Sequence, residues 1–221
     1  MKHQQSGFTL VEIAIVLEIV GLLLGGVLKG QELINSAKAK SYAQDFRTIQ
    51  TALYGFQDRF KGIPGDLAGA DTKIVVGGVP ATLASTPGVV GNGQIQGLWD
   101  STTGTDESCL AWQHMRLAGF LAGSTTVNCA LGNAYVQTNA DGGRIGISST
   151  MQMTAPTAMT GSYNICSTGV LGKIAKQLDT QLDNGDPQTG SFRVATIAAP
   201  TTALALAAVD DATSYLVCLS F

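Results

Sequence analysis

The chain has 221 residues, and its 13 Lys+Arg against 16 Asp+Glu give a formal net charge of −3 with no basic run, which excludes the electrostatic footprint of a sequence-independent nucleic-acid binder. Charged residues make up only 13% of the chain, against about 25% in ordinary soluble domains, and mean hydropathy is positive, so much of the surface meets something other than water. The length suits one packed globular domain plus one extended element.

Residues 8–28 are apolar except for Thr9, Glu12 and Glu18. A helix rises about 1.5 Å per residue, so roughly 20 residues cross a bilayer and this segment can span one. A cleaved secretory signal fits poorly, because two glutamates interrupt the apolar centre and no A-x-A-like site follows. A buried core helix is a further competing reading, and a plain membrane anchor is awkward, since an acid deep in a bilayer costs on the order of 2–3 kcal/mol and needs a partner.

A short leader with Lys2 and His3 precedes Gly7-Phe8-Thr9-Leu10-Val11-Glu12. A small polar leader, a Gly, a Phe, an apolar run and a Glu four residues after the Phe together closely resemble the prepilin signature of type IV pilins and of the pseudopilins of type II secretion systems. The resemblance covers residues 7–12 strictly and the first sixty residues loosely. It implies that a membrane prepilin peptidase cuts between Gly7 and Phe8 and that the new Phe8 amino group is N-methylated. It also gives Glu12 an assembly role: its carboxylate meets the cationic Phe8 amine of a neighbouring chain, a pairing that offsets its burial where the dielectric is low. Cutting removes Lys2 and leaves 12 basic against 16 acidic residues, a net charge of −4.

Glu18 departs from the family pattern, which has an apolar residue there. Facing a filament lumen, pairing with Lys29 or Lys38 of another subunit, and a protonated or snorkelling carboxylate without a specific role all remain open. Gly25, Gly26 and Gly30 each weaken a helix by about 1 kcal/mol relative to Ala, and in the absence of the proline the family often carries they are where the helix would loosen in a filament.

From Gln31 the pattern turns amphipathic, with Tyr42, Phe46, Ile49, Leu53, Phe56 and Phe60 on one stripe, a core-facing spacing. One helix is expected over residues 9–61, ended by Gly62-Ile63-Pro64-Gly65. The domain reading is a leader at 1–7, the long helix at 8–61 with its transmembrane and assembly part at 8–28, and a globular head at 62–221.

In the head, Val75-Val76-Gly77-Gly78 and Thr86-Pro87-Gly88 mark a long connection with short strands. A helix is expected at 107–121, stopped by Gly123, and another at about 170–182. His114 has no second histidine nearby and reads as a packing residue rather than a base or ligand. Strands are expected at 134–138, 144–148, 192–197 and 215–219, rich in β-branched and aromatic residues between turn signals. Residues 151–161 and 198–208 read as loops that contact neighbouring subunits. The expected fold is α+β and pilin-like, a long N-terminal helix packed on an antiparallel β-sheet head.

Cys109, Cys129, Cys166 and Cys218 are scattered and never form Cys-x-x-Cys, which points to two disulfides in an oxidising compartment rather than a zinc site. Three connectivities are open; the preferred one joins Cys109 to Cys129 and Cys166 to Cys218. Asp179, Asp183 and Asp186 gather oxygen ligands around a turn, as a calcium site would need, but the spacing does not match an EF-hand and the same residues are ordinary turn chemistry. No cofactor is expected, calcium being the one candidate. There is no G-x-S-x-G, phosphate loop or recognisable Ser/His/Asp set, so an enzyme is not expected.

The function implied is that of a structural subunit of a type IV pilus-like filament, with a pseudopilin of type II secretion as the alternative. The expected partners are further copies of the chain in a helical filament, prepilin peptidase and the inner-membrane pilus assembly machinery, with no nucleic acid. The expected location is the inner membrane as precursor, then an extracellular filament, or the periplasm for a pseudopilin.

Overall fold

The computed structural model describes residues 9–85 and 90–221. Gly7, Phe8 and the Thr86-Pro87-Gly88 turn lie outside the described residues. Helix α1, Leu10–Phe60, has 51 residues. The chain divides into two compact units, one up to Ala37 and the other from Lys38 to Phe221, so α1 contributes to both.

In the first unit every side chain over residues 10–29 is exposed, although the stretch is long and apolar enough to cross a membrane. A helix that is apolar all round is not a soluble surface helix. Burying each Leu, Ile or Val gains roughly 1.5–3 kcal/mol, so lipid or other apolar helices must cover it. The helix continues unbroken through Gly25, Gly26 and Gly30, where an added Cβ would meet nothing within 4 Å.

In the second unit α1 turns amphipathic as its pattern predicts: Ala39, Tyr42, Ala43, Phe46, Ile49, Leu53 and Phe56 are buried. Lys61 takes left-handed backbone (φ 52°) directly after the helix, so the stop comes one residue before the expected Gly62. Gly65 (φ 89°) is needed further on, because a Cβ there would clash with the Glu107 carbonyl.

A short α2, Ala70–Lys73, leads into the hairpin of β1, Val75–Val76, and β2, Val79–Pro80. Gly77 and Gly78 both have positive φ, as a two-residue hairpin turn of the primed type requires. After α3, Glu107–Leu117, come β3, Ile145–Ser148, β4, Asn164–Leu171, α4, Gly172–Leu182, β5, Phe192–Ala195, a 3₁₀ turn at Leu206–Ala208 and β6, Ser214–Ser220. The main sheet has the order β3-β4-β6-β5, antiparallel throughout.

Alternation along the strands separates two cores. Ile165, Phe192, Val194, Tyr215, Val217 and Leu219 join the α1 stripe, with Phe46 and Phe192 edge to face at 6.2 Å. Cys166, Ala195, Leu216 and Cys218 point the other way, onto Trp99, Met153 and Met159. This is the α+β, pilin-like architecture the sequence predicts.

Three local expectations differ. β4, the longest strand, was not expected, because its Asn and Gly are poor strand formers; a register shift between Ser167 and Val170 interrupts it, and residues 170–171, expected in a helix, belong to the strand. Residues 134–136 are turns rather than a strand, and a single Thr138–Arg144 bridge is what remains of the expected strand: the Asn133 side chain accepts the Tyr135 N–H at 2.9 Å, and the Arg116 guanidinium takes the Tyr135 carbonyl at 2.8 Å. α3 ends at Leu117, short of the expected 121 and before Gly123. Gly119 (φ 82°) closes it, with Gly119 N–H on the Arg116 carbonyl at 3.0 Å and Phe120 N–H on the Met115 carbonyl at 2.9 Å, the paired bonds of a Schellman cap.

Candidate processing and assembly site

Thr9 and Glu12 form a complete capping box at the start of α1. The Thr9 N–H and hydroxyl both donate to Glu12 Oε2 at 2.8 Å, and the Glu12 N–H donates to Thr9 Oγ1 at 3.3 Å. Two otherwise unmatched helix-start groups are thereby satisfied, and the acid sits where the helix dipole favours negative charge. The signal was present in the sequence as Thr-x-x-Glu before an apolar run, and sequence reading missed it by treating Glu12 only as an intersubunit charge. Among the described residues Glu12 Oε1 has no hydrogen-bond partner, and Phe8, one residue before the cap, lies outside them.

Glu18, one and a half turns further on, is exposed and makes no ion pair among the described residues. The cations suggested for it from another chain are engaged within this one: Lys29 pairs with Glu32 at 2.7 Å, and Lys38 pairs with Asp141. Asp141 also accepts the Tyr42 hydroxyl at 2.8 Å. Partial burial pushes Asp141 up, but the Lys38 and Tyr42 hydrogen bonds outweigh it and hold the carboxyl below its usual range.

Elsewhere the polar groups serve structure. His114 is fully buried; its Nδ1 accepts the Gly65 N–H at 2.9 Å, which leaves the Nε2 proton for the Thr82 carbonyl at 2.9 Å. Burial holds its pKa below the ordinary value of 6.5, so it is a neutral tie between α3 and two loops. Asp183 accepts the Phe192 N–H at 3.0 Å, and Asp186 accepts the Gln188 N–H and the Thr189 hydroxyl, each at 3.2 Å. Burial pushes Asp179 up to about 6; the Gly185 amide opposes this, and Asp183 and Asp186 add to it. Among the described residues no group of three His, Cys, Asp or Glu is arranged to hold a metal ion.

The structure contains the disulfides Cys109–Cys129 and Cys166–Cys218. The first links α3 to the loop after it. The second joins directly opposed positions of β4 and β6. Residues 151–161 and 198–208 lace together through an Ala155–Thr202 bridge, and with Trp99 they border a mostly apolar cavity of about 440 Å³.

The family model described as the prokaryotic N-terminal methylation motif matches residues 2–28. No curated protein and no solved structure matches the chain. The matched residues contain the capped helix start and the exposed apolar stretch described above, and the chain thus carries the type IV prepilin signature, common to pilin-like and pseudopilin subunits.

Proposed function

We propose that the chain is the precursor of a structural subunit of a type IV pilus-like filament. Prepilin peptidase cuts it after Gly7, the Phe8 amine is methylated, and α1 carries it from the inner membrane into an extracellular filament with residues 62–221 as the outward head. Residues 1–7 are the leader, and 8–28 the membrane and assembly part of the helix at 8–61. The role is structural rather than enzymatic.

The observation that carries this reading is the capped start of α1. The cap uses only one oxygen of Glu12, which leaves Oε1 for the Phe8 ammonium of the next subunit. In a bundle of apolar helices that bond would be charge-assisted and shielded from water. The exposed residues of 10–29 supply the surface that such a bundle buries.

The two disulfides suit an oxidising compartment, which the cell exterior and the periplasm both provide, so the choice between a pilus and the periplasmic pseudopilin of type II secretion rests on where the mature chain is found. Mechanical shearing of cells tests the choice: the chain should be recovered in sheared filaments. Recovery only in the envelope fraction would instead assign it to the secretion system.

A further inference from the structure

Two carboxyl side chains from separate parts of the second unit are buried together. Asp66, just beyond α1, is 2% exposed, and Glu107, the first residue of α3, is fully buried. Both grip the same glycine-rich run. The Asp66 carboxylate accepts the N–H groups of Gly91, of Asn92 at 3.3 Å and of Gly93 at 2.7 Å. Glu107 Oε2 accepts the Gln96 N–H at 2.7 Å, and the Ser108 N–H returns a bond to the Gln96 carbonyl at 3.0 Å.

Glu107 Oε1 meets no N–H or O–H donor among the described residues, and the Asp66 carboxyl lies within hydrogen-bonding reach of the Glu107 side chain. Two acids in contact make a hydrogen bond only if a proton lies between them, and with both ionised they repel in a medium that screens poorly.

Among the described residues the surrounding groups supply no compensating cation. Asp106 adds a further negative charge near Glu107. His114, bonded to Gly65 beside Asp66, is held neutral by burial. The Tyr163 phenol faces Asp66 without charge. Lys61 and Lys73 share a cavity of about 360 Å³ with Asp66, but Lys61 Nζ bonds Asp58 at 2.9 Å and Lys73 Nζ bonds the Ala68 carbonyl at 2.8 Å.

We propose that Asp66 and Glu107 form a one-proton latch: while they share a proton, residues 90–96 stay docked on the second unit, and loss of the proton releases them. Burial first, and then the negative charge of Asp66, push Glu107 up from its ordinary 4.5 to about 7, against the opposing Gln96 amide. The folded state therefore holds a proton that the unfolded chain has lost, and the latch weakens as pH rises through neutrality. The surface presented by residues 90–96 is then set by the acidity around the head, whichever filament system the chain serves.

Amide hydrogen exchange on the full chain in detergent micelles, corrected for the intrinsic pH dependence of exchange, reads the latch directly. Protection over residues 90–96 should fall about tenfold between pH 6 and pH 8. In Glu107→Gln the side-chain amide can donate to Asp66 at any pH, so protection should stay constant. A flat profile in the native chain, or the same fall in the variant, overturns the proposal. Carboxyl carbon NMR of the native chain provides a measurement that does not depend on the variant folding. A protonated carboxyl at Glu107 that titrates through neutrality supports the latch, and full ionisation of both acids by pH 5.5 contradicts it.

Discussion

Glu12 Oε2 receives both the backbone N–H and the hydroxyl of Thr9 at 2.8 Å, so one carboxylate oxygen holds the start of α1, and the other makes no hydrogen bond among the described residues. Two substitutions separate the cap from the proposed Phe8 pairing. Glu12→Gln retains a residue that completes a capping box but removes the charge, whereas Glu12→Ala removes both. Both precursors should be processed. If the Phe8 pairing governs assembly, both should lower filament yield by about tenfold or more, because a charge-assisted bond of roughly 1.5–3 kcal/mol recurs at every subunit. Filaments at native yield from Glu12→Gln would show that Glu12 acts through the cap alone; quantifying sheared subunit from each strain decides it.

His114 and Glu107 tilt the pH profile of stability in opposite directions. His114 is held below its ordinary 6.5, so its contribution is full above that pH and is lost as pH falls below it. Glu107 is raised from 4.5 to about 7, so stability is lost as pH rises from 4.5 to 7. Between 4.5 and 6.5 the two slopes oppose each other. Denaturant unfolding across pH should find His114→Ala less stable by about 2–4 kcal/mol, through a lost ring and two lost hydrogen bonds, with a flatter acid side. Glu107→Gln should flatten the side approaching neutrality.

Removing the disulfides should cost unequal amounts. Their sequence separations of 20 and 52 correspond, by loop-closure entropy, to roughly 3 and 4 kcal/mol. Thermal unfolding of Cys109→Ser/Cys129→Ser and of Cys166→Ser/Cys218→Ser should find both destabilised, the second more. Its loss also falls between the two central strands.

Asp141→Asn should weaken the tie between α1 and the 139–143 turn. The variant keeps an acceptor for Tyr42 but loses the charge opposite Lys38. The Lys38–Asp141 pair is partly exposed, so a modest loss of about 1 kcal/mol in denaturant unfolding is expected. A loss above about 3 kcal/mol would mean that the turn itself is disrupted.

Periodicity made the long helix legible: the stripe from Tyr42 to Phe56 could face only a core, and the uniformly apolar stretch before it could not face water. Strands β3, β5 and β6 were legible because Ile, Val, Phe and Tyr dominate them. Asn164 hid β4, since it looks like a turn residue, yet its side-chain amide donates to the Ser148 and Thr150 carbonyls at 2.9 and 2.7 Å and anchors the strand. Conversely, Tyr135 and Val136 looked like strand, and Asn133 together with buried Arg116 made turns of them. The Thr9–Glu12 box lay in plain view as a four-residue pattern. No local pattern could reveal the Asp66–Glu107 contact, because only the tertiary fold brings the loop after α1 to the start of α3.

Mass spectrometry of the N-terminal peptide from the functional, membrane- or filament-associated protein tests the central claim most directly. The account predicts a peptide that begins at Phe8 and carries one added methyl on its amine. A mature protein that still begins at Met1, with Lys2 and Gly7 in place, would contradict it.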